Sequence, residues 1–328
     1  MIAQKLTLKT RIGYGIGDIS ICLYWSGVGL YLLYFYTDVV GISPALAGVI
    51  YGIGMMWDAL TDPFMGYLAE RTRTKWGVYR PYILFGNLPL AISFFLLFWV
   101  PPYEGTALFV ALLLINLFHR TCFTIVSVPF SSLTPRITAD SKERTNLTGF
   151  RMLGAQTGTN LMALCAFPII FMFGEGDEAQ GFIYLALIAG VVAMMIHAVT
   201  LYTVREPSTS QGIDRVSGSL IDTAKSIGKN KPFWLVFSAT LIVGVTTIFF
   251  GNNLVYFTKY ALDLHQYQGT ILFTSGIISF ASIPIWWWVS NRIGKRKTWL
   301  VSSTITFFCL LLFFFYPIRT LIELLIIV

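Results

Sequence analysis

Long apolar runs alternate along this chain with short polar connections that are rich in Lys and Arg. The runs cover residues 12–37, 44–68, 82–100, 107–133, 146–173, 181–204, 233–257, 269–290 and 298–316, and a further one begins at Leu321 and meets Val328. A helix needs about 20 predominantly apolar residues to cross a bilayer. The pattern therefore predicts an all-α membrane protein with about nine full spans and a partial tenth. A transmembrane barrel would show ten-residue strands of alternating polarity, and these blocks are continuous instead. Local punctuation supports the helix starts: Ser43 can cap a helix whose first residue is Pro44, and Arg80-Pro81 and Lys231-Pro232 mark similar entries.

Composition narrows the class further. Of 328 residues, 55% are hydrophobic and 12% charged, with a mean hydropathy of +0.70. Soluble domains carry about 25% charged residues, so a soluble enzyme and a disordered chain are both excluded. No GxSxG, HExxH or Walker pattern occurs, which leaves hydrolase and ATPase chemistry without a carrier. Cys22, Cys122, Cys165 and Cys309 lie far apart in apolar runs and read as small core residues rather than ligands or disulfides. His119, His197 and His265 are scattered, and no resident cofactor is expected.

The net charge of +7 does not call for nucleic acid, because its carriers sit in the connections. Nineteen of the 23 Lys and Arg residues fall on one side of the membrane if the spans alternate. They precede the first span and fill the connections after the second, fourth, sixth and eighth. The excess of positive charge places that side, and the N-terminus, in the cytoplasm. The longest polar stretch, about 205–232, reads as a cytoplasmic linker. It would separate an N-terminal six-helix bundle, 1–204, from an incomplete C-terminal bundle, 233–328. Each half carries a basic connection between its second and third spans, Arg71–Lys75 and Arg292–Lys297, as expected of two parallel repeats with the second truncated.

Charges inside the spans are the informative residues, since a bilayer penalises each by roughly 2.5–3.5 kcal/mol. They are Asp18, Asp58, Asp62, Arg120 and Arg151. Asp58 and Asp62 are four apart and project from one helix face. At about 1.5 Å per residue, Asp18, Asp62, Arg151 and Ser127 come out roughly 8–10 Å from the inner end of their spans, and Asp58 and Thr124 roughly 13–15 Å. One layer of polar groups from four helices is the expected site. Two carboxylates on one face need a cation, a proton or an Arg to relieve them. Three acids against Arg151, or against Arg151 and Arg120 together, leave a deficit that a bound cation would fill. A static bundle locked by Asp–Arg pairs is the bland alternative. Gly13, Gly15, Gly17, Gly48 and Gly52 are expected to let helices approach closely. Trp286-Trp287-Trp288 is expected to form an interfacial belt.

Four segments carry a family resemblance: Gly13-Tyr-Gly-Ile-Gly-Asp18, Phe35-Tyr-Thr-Asp-Val-Val-Gly41, Trp57-Asp-Ala-Leu-Thr-Asp-Pro63 and Arg71-Thr-Arg-Thr-Lys-Trp-Gly77 with Arg80-Pro81. They resemble the glycoside–pentoside–hexuronide:cation symporters of the major facilitator superfamily, which include the melibiose permease. The resemblance is dense over roughly the first 150 residues and looser beyond, at Lys231-Pro-Phe and Tyr256-Phe-Thr-Lys-Tyr260. It implies a twelve-helix fold built of two six-helix repeats, and cation-coupled symport of a sugar or glycoside by alternating access. Asp58, Asp62 and Thr124 match cation-site positions, Na⁺ or H⁺ being the coupling ion, and Thr61 stands where the melibiose permease has Asn. Asp18 and Arg151 match sugar-binding positions, and Ser127 and Ser131 stand where that permease has an Asp and a Trp. Arg120 is an added charge. The expected partners are a small sugar and the lipid bilayer, with a monomer in the inner membrane. A carrier of an anionic or amphipathic solute, and a non-transporting membrane sensor or scaffold, are the other readings.

Overall fold

The computed structural model describes residues 6–206, 220–256 and 268–315. Ten helices run through them: α1 (Leu8–Tyr34), α2 (Pro44–Arg71), α3 (Arg80–Leu97), α4 (Gly105–Ile137), α5 (Ser141–Gly174), α6 (Glu178–Thr203), α7 (Leu220–Lys229), α8 (Lys231–Tyr256), α9 (Gln268–Ile293) and α10 (Lys295–Phe315). The run that begins at Leu321 lies outside the described residues. α7 falls within the stretch expected to be linker, so that stretch is not wholly irregular.

The helix starts follow the sequence. Thr7, Ser43, Asp140 and Asp177 each accept a backbone N–H at the head of α1, α2, α5 and α6, satisfying donors that the first turn leaves free. α3 is capped from a distance: the Glu206 carboxylate, beyond α6, accepts from the N–H groups of Val78 at 2.8 Å and Tyr79 at 3.1 Å. α1 passes at its far end into a π-turn, Phe35–Val39, which extends the first span.

Five of these elements are long and apolar enough to cross a membrane: Leu8–Val39, Arg80–Leu97, Gly105–Ile137, Ser141–Gly174 and Glu178–Thr203. α2 is not among them, because glycines and the carboxylates of Asp58 and Asp62 dilute its apolar run.

The chain divides into two compact units, Met1–Arg215 and Val216–Val328. In the first, α1 packs on α5 and α6, α3 on α4 and α6, α2 on α4, and α5 on α6. Its aromatic core gathers Tyr24, Phe35, Phe94, Phe98 and Phe182, with Phe98 and Phe182 stacked at 5.5 Å. In the second, α9 packs against α10.

Glycine controls the α1–α5 crossing. A Cβ on Gly15 would stand 2.7 Å from the Phe150 carbonyl oxygen, and one on Gly158 2.5 Å from that of Ile19. Gly154 lies against the Gly15 carbonyl itself. Gly13 and Gly17 also meet close neighbours, but Gly48 and Gly52 face nothing within 4 Å among the described residues. The expectation of close approach therefore holds for the α1 glycines, and the described residues place no neighbour against that pair.

Candidate functional site

α4 carries the site on one stripe. Arg120, Thr124, Ser127 and Ser131 are spaced by four, three and four residues, which keeps them on one helix face. α2 lies alongside with a constant register. Gly54 faces Asn116, Asp58 faces Arg120, Asp62 faces Thr124 and Gly66 faces Val128. The offset does not drift over these four contacts, about three turns, so the two helices run parallel and in contact at each turn.

Two of those turns carry the charge. Arg120 forms an ion pair with Asp58 through Nη1. Its Nε donates to the Asn116 amide oxygen at 3.3 Å, and its guanidinium lies over the Tyr51 ring, 5.2 Å from the centroid. The residue is 5% exposed. Gly54 makes room for it, since a Cβ there would stand 2.5 Å from Arg120 Nε. One turn on, the buried Thr124 hydroxyl donates to Asp62 Oδ1 at 2.7 Å, while Asp62 itself is exposed. Thr61 does not join this group; its hydroxyl donates to the Trp57 carbonyl at 3.0 Å. Trp57 Nε1 in turn donates to Thr121 on α4 at 2.9 Å.

The second charged set joins α1 to α5. Arg151 grips Asp18 with both arms of its fork, Nε to Oδ2 at 2.6 Å and Nη2 to Oδ1 at 3.1 Å. Nη2 also reaches Ser131 on α4 at 3.4 Å. The guanidinium sits over the rings of Tyr14 and Phe130, at 5.5 and 5.4 Å. Tyr14 is held by Phe130, whose carbonyl accepts its hydroxyl at 2.8 Å. Ser127 lies half-buried on α4 between the two sets. A cavity of about 20 Å³, enough for one water-sized guest, is lined by Tyr24, Trp25, Asp58, His119, Arg120 and Phe123.

Sequence profile and relatives decide the family. The profile of the MFS/sugar transport protein family matches residues 13–328, nearly the whole chain. The chain belongs to that family. Its relatives include the putative glycoside/cation symporter YagG of Escherichia coli, 30% identical over 79% of this chain and 56% of that protein. The isoprimeverose transporter of Lactiplantibacillus pentosus is 30% identical over 89% of this chain and 61% of that protein. The sodium-dependent lysophosphatidylcholine symporter 1-A of Danio rerio is 26% identical over 92% and 62%. The chain thus spans less than two thirds of the length of the curated relatives named here. The MFS/sugar transport proteins are multi-pass membrane transporters, not enzymes, and the apolar helices agree with that.

Several partners were not legible in the sequence. Asn116, Tyr51 and Gly54 form the housing of Arg120, and none is charged or unusual by itself. Their spacing from Arg120 and Asp58 by one helical turn is the signal that could have found Asn116 and Gly54. His197 also has partners that its place in the sequence does not name: its Nδ1 stands 3.1 Å from the Ser20 hydroxyl and 2.9 Å from the Asn87 amide oxygen. That buried network ties α1, α3 and α6 together. Glu143, outside the apolar run, pairs with Arg11 at 2.9 Å.

Proposed function

We propose that this chain is a secondary transporter for a sugar or glycoside, driven by symport of Na⁺ or H⁺ and working by alternating access in the cell membrane. The observation that carries the reading is one continuous polar stripe of α4 that meets Asp58 and Asp62 directly and the Asp18–Arg151 pair through Ser131. Membrane helices bear such charges at a cost and use them on solute and ion pathways. Asp18 and Arg151, with Ser127 and Ser131 beside them, present carboxylate, guanidinium and hydroxyl groups suited to a polyol. Asp58, Asp62 and Thr124 are the cation-binding set, without Thr61, whose hydroxyl is turned to the Trp57 carbonyl, and Asp58 and Asp62 would supply hard oxygen ligands to Na⁺. Both acid sets lie in the unit 1–215, so a second bundle, to which 233–328 would belong, would rock against it. The N-terminus is then cytoplasmic, the working unit a monomer, and the partners a small sugar and lipid.

A second reading has its own support. The Danio rerio relative is named for a lysophosphatidylcholine, and the guanidiniums of buried Arg120 and half-buried Arg151 suit an anionic or amphipathic headgroup. Counterflow of labelled xylosides, galactosides and glucuronides in proteoliposomes, with Na⁺ or with choline at two pH values, tests the first reading. Sugar exchange that accelerates with one cation supports it. Exchange of a lysolipid alone would select the second, and no exchange of any solute would favour a sensor or scaffold.

A further inference from the structure

We infer that Arg120 is a tethered competitor for the coupling cation, occupying Asp58 whenever the mobile ion is absent. The inference rests on the cation-site reading above and adds to it a residue that sets ion affinity. Its basis is the housing of the guanidinium, which is built from four directions. Asp58 takes its charge, Asn116 takes Nε, Tyr51 supplies a ring face, and Gly54 leaves the space that a methyl group would fill. A guanidinium is always charged. It therefore cannot step aside by losing a proton and must be displaced as a cation by a cation.

The other side of the pair is unfinished. Asp58 Oδ1 is buried and has no hydrogen-bond partner among the described residues. Asp58 and Arg120 both line the 20 Å³ cavity, which is of the size of a single water or bare ion. One turn along, Asp62 is exposed and, among the described residues, accepts from the neutral Thr124 hydroxyl. Two carboxylates thus stand on one face, and Arg120 neutralises one of them. A monovalent cation bridging both would meet a guanidinium already seated on Asp58, and like charges at such separation repel strongly where the dielectric is low. Ion and guanidinium must take turns. Return of Arg120 to Asp58 would then expel the ion, giving a carrier with weak ion affinity and prompt release.

The test needs no sugar, so its failure is distinct from failure of the transport reading. The 328-residue chain is placed in nanodiscs, and its thermal unfolding is followed as NaCl replaces choline chloride. For Arg120→Gln we expect the half-saturating Na⁺ concentration to fall at least tenfold below that of the unaltered chain. Arg120→Lys, which keeps the charge but loses the fork, should lie between the two. Adding Asp58→Asn to Arg120→Gln should abolish the gain. Half-saturation within twofold for all three proteins overturns the proposal, and so does an Arg120→Gln protein that shows no Na⁺ response. Should Arg120→Gln fail to fold, the Lys protein decides, and an unchanged half-saturation there is equally fatal.

Discussion

Thr124 on α4 donates its hydroxyl to Asp62 on α2 at 2.7 Å, one turn from the place where Arg120 takes Asp58. The two contacts share a single register between parallel helices, so the two acids proposed to bind the ion stand with their partners on one ladder. A hydrogen bond to a charged group contributes about 1.5–3 kcal/mol when buried, and the exposure of Asp62 brings that to ~1 kcal/mol. Thr124→Val should therefore raise the half-saturating cation concentration about fivefold. Sugar affinity measured without the coupling ion should stay where it was. A cation titration of unfolding temperature, with sugar binding in parallel, checks both halves.

The Asp18–Arg151 pair invites a sharper question, since it could serve sugar or only hold α1 to α5. Arg151→Lys separates these roles. A lysine keeps the charge opposite Asp18 but cannot reproduce the two-armed contact and the reach to Ser131. Sugar affinity should drop more than tenfold while the unfolding temperature changes by only a few degrees. Equal affinity in both proteins would reduce the pair to a structural tie.

Along α1 and α5 the polar contacts keep one register: Arg11 with Glu143, Asp18 with Arg151, Ser26 with Thr159, and Tyr31 with the Ala163 carbonyl. The two ion pairs have opposite polarity, so a slip of two turns would oppose like charges. Arg11→Glu or Glu143→Arg alone should cost ~2 kcal/mol, less than for a fully buried pair because Arg11 is partly exposed. The double exchange should recover most of that loss. A double-mutant cycle on thermal unfolding measures the coupling.

Glu206 caps α3 from beyond α6 and so closes the unit at that end. A carboxylate at a helix N-terminus satisfies free N–H groups and opposes the helix dipole. Glu206→Ala should remove ~1 kcal/mol, read as faster hydrogen exchange at Val78 and Tyr79. Glu206→Gln keeps an acceptor and should lose less. Unchanged exchange at both amides in the Ala protein would dismiss the cap.

What the order of residues determined alone is the part of the problem governed by period and polarity. The helix starts at Pro44 and Arg80 follow from capping and proline chemistry, and the all-helical class follows from apolar runs that leave the backbone no partner but itself. The shared face of Asp58 and Asp62 follows from helical geometry. Asp18, Asp58, Asp62, Arg120 and Arg151 stood out because a bilayer makes each of them costly. Which acid meets which arginine was open, because pairing is set by the register between helices, and register depends on how closely two backbones approach. Gly15, Gly154 and Gly158 bring α1 and α5 together, and Gly54 admits Arg120 to α2. The same logic that recommended Gly13 and Gly15 named no neighbour for Gly48 and Gly52, whose faces meet nothing within 4 Å among the described residues. A glycine permits contact without choosing its neighbour. That choice belongs to the packing of the whole bundle, and it put the guanidinium of Arg120 on Asp58 and left Asp62 to a hydroxyl.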